Sequence, residues 1–190
     1  MTSPRDAWKR LESASRLLRE RVNGLESENA PRSAAARWLQ DNHAFLQFQT
    51  RELRRGLPPA YLRKLPKGSE QGAREPRIYR MAAEFVGGSE GVIDTEALAG
   101  FGATLRRNRE LWVAELWAFG AVLKLAILER LCAALDSEAC VALCITSLRA
   151  LEKASWRDFV EAVSVVEHTL REDPAGIYPH MDFPTRDLYR

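Results

Sequence analysis

Apolar residues recur at helical spacing along most of the chain, and no stretch alternates polar with apolar long enough to build a sheet. Trp8, Leu11, Leu18 and Val22 fall on one face of a first helix. Thr2-Ser3-Pro4 starts it, since a proline in the first turn has no N–H to lose, and Asn23-Gly24 ends it. Polar residues then run to Ser33 as a linker. Trp38, Phe45, Leu46, Gln49 and Leu53 mark the stripe of a second helix, Ala34 to Arg55, stopped by Gly56. Pro58-Pro59 and Pro66 bracket a single helical turn, and residues 67–75 form a Gly- and charge-rich loop.

The same period continues through Arg77 to Val86 and stops at Gly87-Gly88. Asp94 or Thr95 caps the next helix, which carries Leu98, Phe101 and Leu105 on one face. Glu110 to Leu135 is the longest apolar helix, followed by Ser137 to Leu151. The last, Ser155 to Leu170, has Ser155 as its cap and a stripe of Trp156, Phe159, Val160, Val163 and Leu170. Beyond Glu172 the chain is Pro-rich and irregular, although Thr185-Arg186-Asp187 has the character of a further helix start. The expected fold is all-α, an irregular bundle of about six to seven helices with a Pro-rich C-terminal tail. It divides into an N-terminal helix and linker (1–30), a helical domain (31–171) and the tail (172–190).

A chain of 190 residues is long enough to bury a core without staples. Its net charge of +2 exerts no strong pull on nucleic acid or anionic lipid, so nucleic acid is an unlikely partner. Three cysteines, an odd number, argue against a disulfide framework and suit a reducing cytoplasm. The N-terminus shows no apolar core of a signal peptide. Leu111 to Leu128 is the most apolar run, yet it carries Glu115 and Lys124. Each costs roughly 2.5–3.5 kcal/mol near a bilayer centre, so a buried helix is expected rather than a span.

No motif points to catalysis. Cys140 and Cys144 stand four apart, but no histidine or second cysteine pair completes a zinc spacing, and they read as core thiols along with Cys132. His43, His168 and His180 lie in three different segments, which argues against a metal centre or triad. Phosphate-cradling glycine loops and paired aspartates for a metal-bound nucleotide sugar are absent. No cofactor is expected in this chain. Trp112 and Trp117, at helical spacing in the most apolar segment, read as core.

The most unusual charge feature is Arg51 to Arg80, with nine basic residues against three acidic ones. Arg51, Arg54, Arg55, Arg63, Lys64 and Lys67 are its candidate contacts for a partner or an anionic surface. The competing reading is a solvated face that pairs with acids on neighbouring helices. Both stay open.

Several longer words carry a resemblance. They are RELRRGLPPAYLRKLP, PRIYRMAAEFV followed by VIDTEAL, ELWAFGAVLKLAILERL, and SWRDFVEAVSVVEHTLREDPAGIYPHMDFPTRDLYR. Together these resemble the N-terminal helical region of bacterial cyclic β-1,2-glucan synthases, large inner-membrane enzymes that polymerise glucose from UDP-glucose. The resemblance covers roughly 38–131 and 146–190, with Cys132 to Ile145 bridging a stretch that is longer in the family. It implies a truncated or partial product that lacks the transferase, membrane and phosphorylase-like domains, so no catalytic residue carries over. The chain alone is expected to be inactive. The implied role is a non-catalytic module docking to the rest of the synthase, cytoplasmic and brought to the inner membrane by it. The alternative is a stand-alone helical interaction or regulatory protein.

Overall fold

The computed structural model describes residues 4–26, 33–68, 75–108 and 111–189. Among them the fold is all-helical, with no strand and one isolated bridge between Lys67 and Pro76. The helices are α1 (Pro4–Glu26), α2 (Ala34–Asp41), α3 (His43–Gly56), α4 (Pro59–Lys64), α5 (Arg77–Gly88) and α6 (Thr95–Asn108). They are followed by α7 (Val113–Ala133), α8 (Glu138–Glu152), α9 (Trp156–Val163), α10 (Val165–Arg171), a 3₁₀ turn (Tyr178–His180) and α11 (Phe183–Tyr189).

The apolar run read from the sequence is α7, which lies at the centre with α1, α3, α5, α8 and α9 packed on it. A helix that is apolar almost all round has to be covered on most sides, and this one is. Phe119, Val122, Leu123, Leu128 and Leu131 are fully buried. Phe119 stacks between Phe101 of α6 (5.4 Å) and Phe159 of α9 (5.0 Å), and Phe85 of α5 extends the column onto Phe101 at 4.2 Å. Leu11 and Leu18 of α1 belong to the same core.

Among the described residues eleven α-helices replace the six or seven expected, for four local reasons, the first being that the single turn expected between the prolines is the short helix α4. The segment 34–55 breaks at Asn42, whose Nδ2 donates to the Trp38 carbonyl at 2.8 Å while its Oδ1 accepts from Arg149 Nη2 of α8 at 2.7 Å. The segment 155–170 breaks at Ser164, whose Oγ accepts the Glu167 N–H at 3.2 Å and caps α10. The Pro-rich tail is not an irregular tail: the 3₁₀ turn and α11 take up most of it. Asp173 accepts backbone N–H groups of Ala175, Ile177 and Tyr178, and Asp182 caps α11 by accepting the Thr185 N–H at 2.9 Å. The N–H of Ala175, and those of Tyr178 and Ile177 after it, hold the Asp173 carboxyl below its ordinary range.

Two helical glycines make opposite predictions. A Cβ on Gly120, in the middle of α7, would come within 2.8 Å of the Trp156 indole, whereas one on Gly100 of α6 would meet nothing within 4 Å. Helix propensity favours alanine over glycine by about 1 kcal/mol at either place. Overpacking costs roughly 1–3 kcal/mol, so Gly120→Ala should lower stability and Gly100→Ala raise it. Thermal melts of the two variants check the opposite signs.

Candidate functional site

The basic segment divides over three elements. Arg51 and Arg54 lie on α3 and face a cleft formed with α1, where Arg19, His43 and Gln47 join them. Its floor is the apolar pair Leu18 and Leu46, and its volume is about 230 Å³. Arg55 turns away and pairs with Glu52 at 2.9 Å. Arg63 and Lys64 are exposed on the last turn of α4 and do not line the cleft; Lys67 is exposed beyond it, at the bridge to Pro76. Arg19 comes from outside the segment singled out by charge, and only the packing of α1 on α3 reveals it.

A second concavity, about 300 Å³, opens between α6 and α9. Leu98, Ala99, Gly102 and Ala103 contribute from α6, and Phe159, Ala162 and Val163 from α9. Gly102 lets the helices approach so closely that a Cβ there would stand 3.0 Å from Val163 Cγ2. Arg106 and Asp158 are the charged groups among its lining residues. The groove is mostly apolar and its alanines 99 and 103 are exposed.

Trp112 and Trp117 are corrected from core to surface. Trp112 is 64% exposed because it precedes α7 as its N-cap, where its backbone N–H donates to Glu115 at 3.0 Å and its carbonyl accepts the Glu115 and Leu116 N–H groups at 2.9 and 3.1 Å. Trp117 is 41% exposed and meets Phe183 of α11 edge-on at 6.3 Å. Ile177, Leu188 and Tyr189 are exposed in the same C-terminal part of the chain.

Three polar networks lie under the surface. Glu115, fully buried, accepts Arg77 Nε at 2.7 Å and Nη2 at 2.6 Å, locking α5 to α7. Glu167, also fully buried, accepts Tyr178 Oη at 2.7 Å, Arg171 Nε at 2.8 Å and Arg186 Nη1 at 2.8 Å. Tyr79 donates its hydroxyl to Glu129 and accepts Arg10 Nη1 at 2.5 Å, while Arg10 also pairs with Glu75 at 2.6 Å. Burial first, and the Glu129 carboxylate second, push the Tyr79 phenol well above its ordinary value. These groups hold one another and join helices together, which is a structural role.

Cys132 and Cys144 are not poised for chemistry. Burial pushes Cys132 and Cys144 up to about 12, so both stay protonated at neutral pH, where a nucleophile or metal ligand needs the thiolate. Cys140 Sγ lies 3.9 Å from Cys144 Sγ and all three cysteines are free. Among the described residues no group of three His, Cys, Asp or Glu side chains is placed to hold a metal ion. No helix among them is long and apolar enough to cross a membrane.

With a bundle core, an apolar groove and a basic cleft as its main surface features, the chain's relatives carry the remaining information. The chain is similar to the cyclic β-(1,2)-glucan synthase NdvB of Rhizobium meliloti (strain 1021). The two are 30% identical over 97 residues, which is 51% of this chain. The chain spans only 3% of the length of NdvB. No family model matches it. The similarity to NdvB agrees with the resemblance read from the longer words of the sequence.

Proposed function

We propose that this chain is a non-catalytic helical module of a cyclic β-1,2-glucan synthase, which docks to the remaining synthase polypeptide through the groove between α6 and α9. The observation that carries the reading is the groove itself, a mostly apolar concavity of about 300 Å³ between two helices of the bundle. Leu98, Phe159 and Val163 supply its apolar surface, and the small exposed side chains of Ala99 and Ala103 leave room for an inserted side chain. Helix-in-groove docking needs that combination of apolar depth and small rims. The 30% identity to NdvB supplies the partner class.

Ala103→Arg places a charge in the groove without touching the core, because Ala103 is exposed. The variant should keep the wild-type melting temperature and lose measurable binding to the separately expressed remainder of a cyclic β-1,2-glucan synthase. Wild-type chain that stays monomeric and ignores that polypeptide in analytical ultracentrifugation would overturn the reading. A stand-alone helical interaction protein would then take its place.

A further inference from the structure

Most arginines of this protein that reach the bundle are engaged. Arg77, Arg171 and Arg186 hold buried carboxylates, Arg130 donates to the Val86 and Ser89 carbonyls, and Arg149 holds Asn42. Arg19, Arg51 and Arg54 differ. They line one cleft, and no hydrogen bond or ion pair engages any of them among the described residues. No carboxylate stands among the described residues that line it.

Three guanidinium groups brought together across a helix pair repel one another. That arrangement is stabilised when an anion sits between them. The apolar floor strengthens the attraction by limiting water on one side. Gln47 and His43, whose side-chain nitrogens lie 2.8 Å apart, add polar groups at the same mouth. The Ser15 and Thr50 hydroxyls are turned onto the Leu11 and Leu46 carbonyls of their own helices. They do not donate into the cleft.

Size narrows the ligand. A volume of about 230 Å³ is below the roughly 300–1,000 Å³ of sites that enclose a drug-sized molecule. It suits a compact oxyanion rather than a whole nucleotide sugar or a glucan chain. Guanidinium forks match phosphate oxygens in pairs, which a carboxylate-free cleft leaves available. We propose that the cleft between α1 and α3 is a binding site for a phosphate-type dianion, held by Arg19, Arg51 and Arg54. Phosphate of this chemistry occurs free in solution or as the headgroup of an anionic lipid.

Two arms separate those sources. Inorganic phosphate titrated into the full chain by calorimetry should bind one per chain if the free ion is the ligand. Cosedimentation with phosphatidylcholine vesicles containing phosphatidic acid, but not with phosphatidylcholine alone, assigns the site to a headgroup. In whichever arm binds, Arg51→Gln and Arg54→Gln should each weaken affinity about tenfold or more. Arg51→Lys keeps the charge, loses the fork and should weaken it less. Arg63→Gln/Lys64→Gln removes two positive charges outside the cleft and should change affinity by no more than about twofold. Equal losses in that double variant would overturn the site in favour of diffuse charge, and absence of binding in both arms would overturn it outright. All variants replace side chains that make no bond within the described fold, and melts confirm that each is folded.

Discussion

Arg77→Met is expected to cost about 3–5 kcal/mol, because it strands a fully buried carboxylate. Glu115 sits at 0% exposure near the start of the central helix and relies on a bidentate guanidinium from α5. Without Arg77 the donor left to it among the described residues is the Trp112 N–H at 3.0 Å, one donor for a group that needs several. The loss corresponds to a fall of about 6–20 °C in Tm for a chain of this size. Urea unfolding followed by circular dichroism provides the matching free energy. Arg77→Met/Glu115→Leu should recover most of the stability, since a well-packed apolar pair often equals a buried ion pair. A single variant that melts like wild type would show that Glu115 reaches water in solution.

Glu167→Ala should release the C-terminal segment while leaving the central bundle folded. The substitution removes the acceptor of Tyr178 Oη, Arg171 Nε and Arg186 Nη1 at once. Arg186 is only 8% exposed and keeps Glu161 at 3.0 Å as its partner across the interface. Tyr178 loses a buried hydroxyl acceptor. The expected cost is again about 3–5 kcal/mol, but it falls on α10, the 3₁₀ turn and α11, which are tied to one another and to α9. Hydrogen exchange at residues 173–189 should accelerate strongly, with α5 and α7 still protected. Uniform acceleration through α7 would mean that the C-terminal segment and the bundle unfold as one unit.

The two buried carboxylates show where sequence reading reaches its limit. In the sequence Glu115 stands out as a charge that spoils a membrane span, and Arg77 as the start of a helix and one basic residue of nine in a charged stretch. Their pairing spans 38 positions and follows from α5 lying along α7. Ser164 and Glu167, by contrast, show the Ser-x-x-Glu spacing of a helix N-terminus, a signal present in the sequence and hidden by the continuous apolar stripe around it. Asn42 offers no comparable signal, because what holds the break there is Arg149 from α8.

The functional surfaces divide in the same way. Charge density along the chain picked out Arg51 and Arg54, together with Arg55, Arg63, Lys64 and Lys67, which the fold sends elsewhere. Sequence distance kept Arg19 out of that group until α1 packed against α3. The groove between α6 and α9 was equally hidden, since Gly102 and two exposed alanines carry no periodic signature.

Helical periodicity, the absence of β-alternation and the apolar density of 111–128 determined an all-α bundle around a central helix, because those properties are local and repeat every few residues. The tertiary structure decided which arginines meet a carboxylate and which line an open cleft. It also placed Trp112 and Trp117 on the surface and ordered the segment after Glu172 into a turn and a helix. Each of those outcomes depends on which faces of distant helices come together, and burial and charge pairing are set there rather than by neighbours in the chain.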